Sequence, residues 1–262
     1  MASVTKVSII VVSYNTRADL ERCLESLHAA SAGIAHDIVV VDNGSIDGSP
    51  EAARRWQDVR VIESGGNIGF ARASNIGIRA SRGENLLLLN SDTVVPPGAI
   101  DKLLAELDAD ARVAVVGPRI VDGEGHAELS FGRMMGPLNE FRQKRLARGP
   151  VEELTRKRHY PDWVSAACLL VRRADAEAVG LLDERFFMYT EDIDFCSAIR
   201  ARGRLILFAP AIEIVHLRGR SAATAPVDTH AAYRRSQIAF YEKHHPHWAP
   251  LLRWYLRLRR AI

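Results

Sequence analysis

Between residues 7 and 89 the chain alternates short, nearly continuous apolar runs with stretches of helical periodicity, and each apolar run stops at small, polar or acidic residues. Val7-Ser8-Ile9-Ile10-Val11-Val12 is the first run, rich in β-branched residues, as expected of a strand covered on both faces. The next segment places Leu20, Cys23, Leu24 and Leu27 on one face of a helix, with Thr16-x-x-Asp19 as a candidate capping box. Ile38-Val39-Val40-Val41 reads as a second strand, Ser49-Pro50 as a capped helix start with proline at its first position, and Val59-Arg60-Val61-Ile62 as a third strand. A helix over 71–81 and a strand Leu86-Leu87-Leu88-Leu89 follow. Strands alternating with helices in this way require crossover connections and so a largely parallel sheet, whose ligands collect at the carboxyl ends of the strands. Those ends carry Ser13-Tyr14-Asn15, Asp42-Asn43-Gly44-Ser45, Gly65-Gly66-Asn67-Ile68-Gly69-Phe70 and Asn90-Ser91-Asp92.

Beyond Val113-Ala114-Val115-Val116 the rhythm breaks. Asp122-Gly123 reads as a turn, and the strongly basic stretch from Arg142 to Arg158, interrupted by Gly149-Pro150, reads as a mobile loop. Ala166 to Val171 is a further strand, and Asp192 to Arg202 a helix closed by Gly203. Leu205 to Phe208 and Ile212 to Val215 read as two more strands. The expected organisation is an α/β domain over 1–225 and a basic, amphipathic helical extension over 226–262.

At 262 residues, 47% of them apolar, the chain can bury a sizeable core. A net charge of +3, with no aromatic residues interleaved among the basic ones, argues against nucleic acid as a partner. Cys23, Cys168 and Cys196 are odd in number and far apart, so buried thiols in a reducing compartment are expected, not disulfides or a zinc site. The run over 7–12 is far short of the ~20 residues that span a bilayer, and no cleavage site follows it. A cytoplasmic protein is expected.

The polar strand ends define the chemistry. A nucleoside diphosphate needs hydrogen-bond partners for its base and ribose and hard oxygen ligands around a cation at its phosphates. Asp42 can serve a uracil or thymine edge or the ribose, and Asn15 and Asn67 can supply amides; equally, Asp-Asn-Gly-Ser is an ordinary turn composition. Asp92, at the tip of the leucine strand, suits Mg²⁺ or Mn²⁺, or else a turn before Pro96-Pro97. Glu191, Asp192 and Asp194 open a helix, where carboxylates complement the dipole or, alternatively, one deprotonates an acceptor hydroxyl. His216 is a structural histidine or a metal ligand, with Arg218 and Arg220 beside it suited to phosphate oxygens. A dinucleotide-dependent dehydrogenase is excluded by the first turn, Ser13-Tyr14-Asn15-Thr16, which has none of the glycines that fingerprint requires.

With these residues in place, the chain resembles the family 2 glycosyltransferases of the GT-A fold, and within them the rhamnosyltransferase-like branch. The likeness runs from Val7 to Ser221. It rests on Val12-Ser13-Tyr14-Asn15, Val41-Asp42-Asn43-Gly44-Ser45, Asn67-Ile68-Gly69-Phe70-Ala71 through Asn75-Ile76-Gly77, Leu89-Asn90-Ser91-Asp92, and Phe187-Met188-Tyr189-Thr190-Glu191-Asp192-Ile193-Asp194, five motifs in order. The resemblance implies a mixed, mainly parallel sheet flanked by helices. It implies that Ser13, Tyr14, Asn15, Asp42, Asn67, Arg72, Asn90 and Ser91 serve the nucleotide, that Asp92 and His216 hold Mg²⁺ or Mn²⁺, and that Asp192 is the base with Glu191 beside it. Inverting transfer from a nucleotide-diphosphate sugar, dTDP-rhamnose by branch, to a glycan or polyprenyl-diphosphate-linked acceptor in cell-surface polysaccharide synthesis is the implied reaction. The alternative is a binding module without chemistry that organises a membrane assembly.

Two departures stand out. Asn90 replaces the first aspartate of the family's Asp-x-Asp, which leaves the cation mainly to Asp92, and Ala166-Ala167 follow Val164-Ser165 where many relatives carry glycine beside the acceptor. Trp163, Arg218 and Arg220 are expected to contact acceptor or phosphate. The segment 251–260 is amphipathic as a helix, with Arg253, Arg257 and Arg260 on one face and Leu251, Tyr255 and Leu258 on another. It reads either as a peripheral anchor on the inner face of the plasma membrane or as a helix packed on its own domain. The sequence leaves a homodimer open.

Overall fold

A computed structural model describes residues 5–31, 33–217 and 229–259. The N-terminal half runs β1 (Val7–Ser13), α1 (Arg17–Ala30), β2 (His36–Asp42), α2 (Ser49–Ala53), β3 (Val59–Glu63), α3 (Phe70–Ala80), β4 (Asn85–Asn90), β5 (Thr93–Val94), α4 (Ala99–Asp108) and β6 (Val113–Val121). Then follow β7 (Ala127–Glu128), β8 (Phe131–Gly132), α5 (Pro137–Leu146), α6 (Val151–Leu154), β9 (Trp163–Val164), β10 (Cys168–Arg172), α7 (Arg173–Ala178), α8 (Glu191–Ala201), β11 (Leu205–His216), α9 (Thr229–His244) and α10 (Ala249–Leu258). The main sheet has the order β3-β2-β1-β4-β10-β6-β11-β5, with β7 added beside β6, and β8 and β9 form a separate ribbon. The four long ladders, β3/β2, β2/β1, β1/β4 and β6/β11, are parallel, whereas β10 runs antiparallel between β4 and β6.

The alternation along β1 explains its unbroken apolar character. Ile9 and Val11 join a core with Leu20, Leu24 and Leu27 of α1 and Leu103 and Leu107 of α4, while Ile10 points the other way, toward Ala71 and Ile78 of α3 and Phe195 and Ile199 of α8. Both faces are thus dry, and the only places left for polar chemistry are the strand ends. All three cysteines are buried free thiols, and burial pushes Cys23 and Cys196 up to about 12.

Four sequence expectations require correction. Thr16 flanks α1 without capping it: its hydroxyl meets Ser13 Oγ at 3.1 Å and Ser91 Oγ at 2.8 Å, so it ties the ends of β1 and β4 together. At α2 the cap position is Gly48, and Ser49 lies inside the helix with its hydroxyl donated to Asp47. The basic stretch over 142–158 contains the end of α5 and all of α6; neither helix buries a residue, so no apolar period betrayed them. They are held by polar contacts, Gln143 Nε2 to Phe131 O at 2.7 Å and an Arg119–Glu152 ion pair. Finally, Leu205 to His216 is one strand with an irregularity between Ala209 and Glu213, at Pro210, in place of two strands.

The expected domain boundary at 225 lies outside the described residues. On its far side α9 packs closely on the sheet domain: Phe240 and Tyr241 share a small core with Met135 and Phe186, and Tyr241 OH donates to Glu140 at 2.5 Å. Asp194 of α8 accepts from Lys243 at 2.8 Å and from His244 at 2.6 Å. On α10, by contrast, only Ala249 and Leu256 are buried, and Trp254 and Leu258 are 59% and 63% exposed. Among the described residues no helix is long and apolar enough to cross a membrane.

Candidate active site

The ends of β1, β2, β4 and β10 and the start of α8 enclose a cavity of about 560 Å³, within the range of small-molecule sites. Tyr14, Asn43, Asn67, Asn90, Ser91 and Asp92 line it, together with Trp163, Glu191, Asp192 and His216. The sequence expectations for most of these side chains therefore converge on one space.

The side of the cavity formed by the loops after β1, β2 and β3 is built from backbone turns. Asp42 Oδ2 accepts the N–H groups of Gly44 and Ser45 at 3.1 and 2.9 Å, while Oδ1 is buried without a protein partner, which is costly unless something else occupies it. Asn15, at φ +50°, donates its backbone N–H to Ser45 Oγ and accepts from Ile46 N through Oδ1, bracing the loop after β2. Gly44 adopts φ +87°, and a Cβ there would lie 2.7 Å from the Gly66 backbone, so the two loops touch only because residue 44 is glycine. Asn43 and Asn67 bond side chain to side chain at 3.0 Å. Ser13 is fully buried with its hydroxyl on Thr16, and Arg72 points to Glu184 at the surface; of the expected nucleotide residues, Ser13, Asn15, Asp42 and Arg72 do not line the cavity.

Just beyond the carboxyl end of β4, the β5–β11 pairing sets His216 across from Thr93 and so beside Asp92. His216 Nε2 lies 3.2 Å from Asp92 Oδ1. Burial by itself would lower the imidazole pKa, but the carboxylates of Asp92 and Glu128 outweigh it and push His216 up to about 9. The donor set fits a divalent cation: two cis ligands at ~2.1 Å bonds stand about 3 Å apart, close to the observed separation. Among the described residues no third His, Cys, Asp or Glu joins them, so substrate oxygens would complete the shell. Arg218 and Arg220 lie outside the described residues.

The acidic segment reaches the same cavity through β10. Asn90 N bonds Ala167 O at 3.1 Å, and Ala166 N donates to Asp192 Oδ2 at 3.2 Å, so Ala166 and Ala167 join the leucine strand to the carboxylate. Tyr189 and Thr190 both have φ +67°, strain that delivers Glu191 and Asp192 into the cavity wall. Gly69 fixes this turn from the other side: at φ +87° it packs so closely that a Cβ would lie 2.4 Å from Phe187 O. Burial and the neighbouring Asp192 charge hold the Glu191 carboxyl well above its ordinary value, and its Oε2 has no partner. Asp192 is raised by burial, opposed by the N–H groups of Ala166 and Ile193. The Glu191 carboxyl is thus held up by burial and the Asp192 charge, whereas the N–H groups of Ala166 and Ile193 favour the charged form of Asp192. Trp163 lines the cavity with its Nε1–H on Arg133 O at 2.9 Å.

Ile120, Glu128, Leu129, Ser130 and Tyr233 also line the cavity and have no place in the sequence motifs. Glu128 arrives on β7, whose two residues are too short to carry a period, and Tyr233 arrives on α9, where it meets Tyr189 edge-on at 5.9 Å. The only signal for Glu128 was the Asp122-Gly123 turn, which implies a returning strand without saying what it would face.

Comparison with known proteins agrees with this geometry. The family model described as glycosyl transferase family 2 matches residues 8–179. The N-acetylglucosaminyl-diphospho-decaprenol L-rhamnosyltransferase of Mycobacterium tuberculosis (strain H37Rv) is 32% identical over 97% of this chain and 90% of its own length. The low-salt glycan biosynthesis hexosyltransferase Agl10 of Haloferax volcanii is 30% identical over 80% of this chain and 66% of its own. Among solved structures, a Pyrobaculum calidifontis mannosyltransferase in complex with GDP-Man and Mn²⁺ superposes with a TM-score of 0.63 at 20% identity, over 96% of this chain and 69% of that one. GalNAc-T7 with UDP, GalNAc and Mn²⁺ gives 0.65 at 17% identity, over 91% and 48%. At those identities the structural likeness is one of fold, the GT-A fold. The family match and the 32% identical relative go further, and by them this chain belongs to glycosyltransferase family 2 and is a glycosyltransferase of the rhamnosyltransferase-like branch.

Proposed function

We propose that this enzyme transfers rhamnose, with inversion, from dTDP-rhamnose to a hydroxyl of a glycan or polyprenyl-diphosphate-linked acceptor in cell-surface polysaccharide synthesis. The observation that carries the reading is the single cavity lined both by the Asp92–His216 pair and by Asp192, which brings diphosphate and base within one substrate's reach. Asp192 takes the proton of the acceptor hydroxyl as its oxygen attacks the anomeric carbon, and the bond to the diphosphate breaks with its electron pair leaving on phosphate oxygen. A divalent ion bound by Asp92 and His216 would supply counter-charge to that leaving group. Asn43, Asn67 and the orphaned Asp42 Oδ1 suit the nucleoside. The identity of the M. tuberculosis relative supports rhamnose and a lipid-linked acceptor. A melting-temperature screen of thymidine, uridine and guanosine diphosphate sugars, each with and without Mn²⁺, tests it: dTDP-rhamnose should give the largest rise, and only with metal. A larger rise with a guanosine or uridine sugar would replace the donor.

The acceptor reading is supported at α10. Its Leu251, Trp254, Tyr255 and Leu258 are uncovered, with Arg253 and Arg257 alongside, the make-up of an interfacial helix on an anionic membrane. Changing Trp254 and Leu258 to serine should reduce pelleting with anionic vesicles and leave the melting temperature within a few degrees; unchanged pelleting would remove the membrane from the proposal.

A further inference from the structure

His216 is held from both sides of its ring. On one side Nε2 faces Asp92 Oδ1 at 3.2 Å; on the other Nδ1 faces Glu128 Oε2 at 3.5 Å, at the outer limit of a hydrogen bond. Glu128 sits on β7, paired antiparallel with Ile120 of β6, and its side chain is only 10% exposed. The two nitrogens of an imidazole diverge, so an ion shared by Nε2 and Asp92 is out of reach of an oxygen on the Nδ1 side. Glu128 therefore lies behind the histidine, not among the ligands.

We propose that Glu128 is a positioning residue for the cation site: it accepts the Nδ1–H of His216, which leaves the Nε2 lone pair directed at the space beside Asp92. The inference rests on the reading that a divalent ion binds Asp92 and His216. A carboxylate behind a metal-bound histidine fixes its tautomer and ring orientation and raises its basicity, and loss of such a partner weakens metal binding roughly 10–100-fold. The register explains why β7 exists: its two residues return the chain from the Asp122 turn just far enough to bring one carboxylate under the end of β11.

The test is Mn²⁺ affinity of the full-length chain, by titration calorimetry in the presence of thymidine diphosphate, for wild type, Glu128→Ala, Glu128→Gln, His216→Ala and the Glu128→Ala/His216→Ala double variant. Glu128→Ala should weaken Mn²⁺ by roughly 10–100-fold, and Glu128→Gln, which still accepts a hydrogen bond at the same place, by only a few-fold. The double variant should bind as weakly as His216→Ala and no weaker, because Glu128 acts only through the ring. If Glu128→Ala binds Mn²⁺ like wild type, or if the two losses add in the double variant, the inference is overturned while the cation site stands. If wild type and His216→Ala bind alike, the cation site itself is wrong and the inference falls with it. Glu128→Gln guards against misfolding, since it keeps the shape of the buried side chain.

Discussion

Asp192→Asn should lower kcat by roughly two to four orders of magnitude, the usual worth of a general base, and leave donor binding nearly intact. Asparagine is nearly isosteric and its carbonyl oxygen can still accept the Ala166 N–H, so the contact to the strand is kept while the proton acceptor and the bond from Ile193 N are lost. The neighbouring substitution sharpens the assignment. Burial and the Asp192 charge hold the Glu191 carboxyl well above its ordinary value, which favours its neutral form, and glutamine imitates a neutral acid, so Glu191→Gln should retain most of the turnover. It should also change the pH dependence of stability. A carboxyl whose folded pKa is raised contributes stability that is complete below its unfolded value and lost as pH rises through the folded one. Glu191→Gln removes that loss, so its melting temperature relative to wild type should climb between acid and neutral pH. Normal turnover in Asp192→Asn, or inactivation by Glu191→Gln with Asp192 intact, would reverse the roles.

Asp92→Ala should abolish the metal-dependent part of donor binding. Asp92 is 4% exposed, and with His216 it makes up the protein's share of the proposed cation site. Removal of one of two protein ligands should weaken Mn²⁺ by more than loss of a residue behind the ligands does, hence by at least about 100-fold. In the melting screen the variant should respond to dTDP-rhamnose equally with and without Mn²⁺. A metal-dependent rise that survives in Asp92→Ala would place the ion elsewhere. The two experiments divide the reaction, since Asp192→Asn keeps the metal-dependent rise and loses turnover while Asp92→Ala loses both.

Gly44 and Gly69 show how tightly the site depends on its loops. Each sits at positive φ against another backbone, so the loops after β2 and β3 and the loop before α8 are locked together at contacts no larger residue could make. Ser236 adds to this from α9 by donating to Met188 O at 2.7 Å, just before the strained Tyr189-Thr190 pair. The C-terminal helices thereby support the segment that carries Glu191 and Asp192, in addition to supplying Tyr233 to the cavity.

The elements from β1 to β4, and the polar clusters that end them, are legible in the sequence because their causes are local. A strand covered on both faces must be apolar throughout, its helix must show one apolar face, and the chain must turn polar where it leaves the core. Asp92, Asn67, Tyr14 and Asn90 follow from that logic, and Asp192 from the acidic opening of α8. What only the tertiary structure decided are features whose partners lie far away in the chain. Thr16 spends its hydroxyl on Ser13 and Ser91, not on a helix end, because three loop ends meet there. The helices α5 and α6 bury nothing and are held by Gln143 and Arg119, so they leave no period to read. Arg72 turns to Glu184, whereas Glu128 reaches His216 from 88 positions away and Tyr233 closes the cavity from a helix beyond the sheet. Hydrophobic period is a property of neighbouring residues, but the pairing of one carboxylate with one imidazole is set by sheet register, and register exists only once the strands have met.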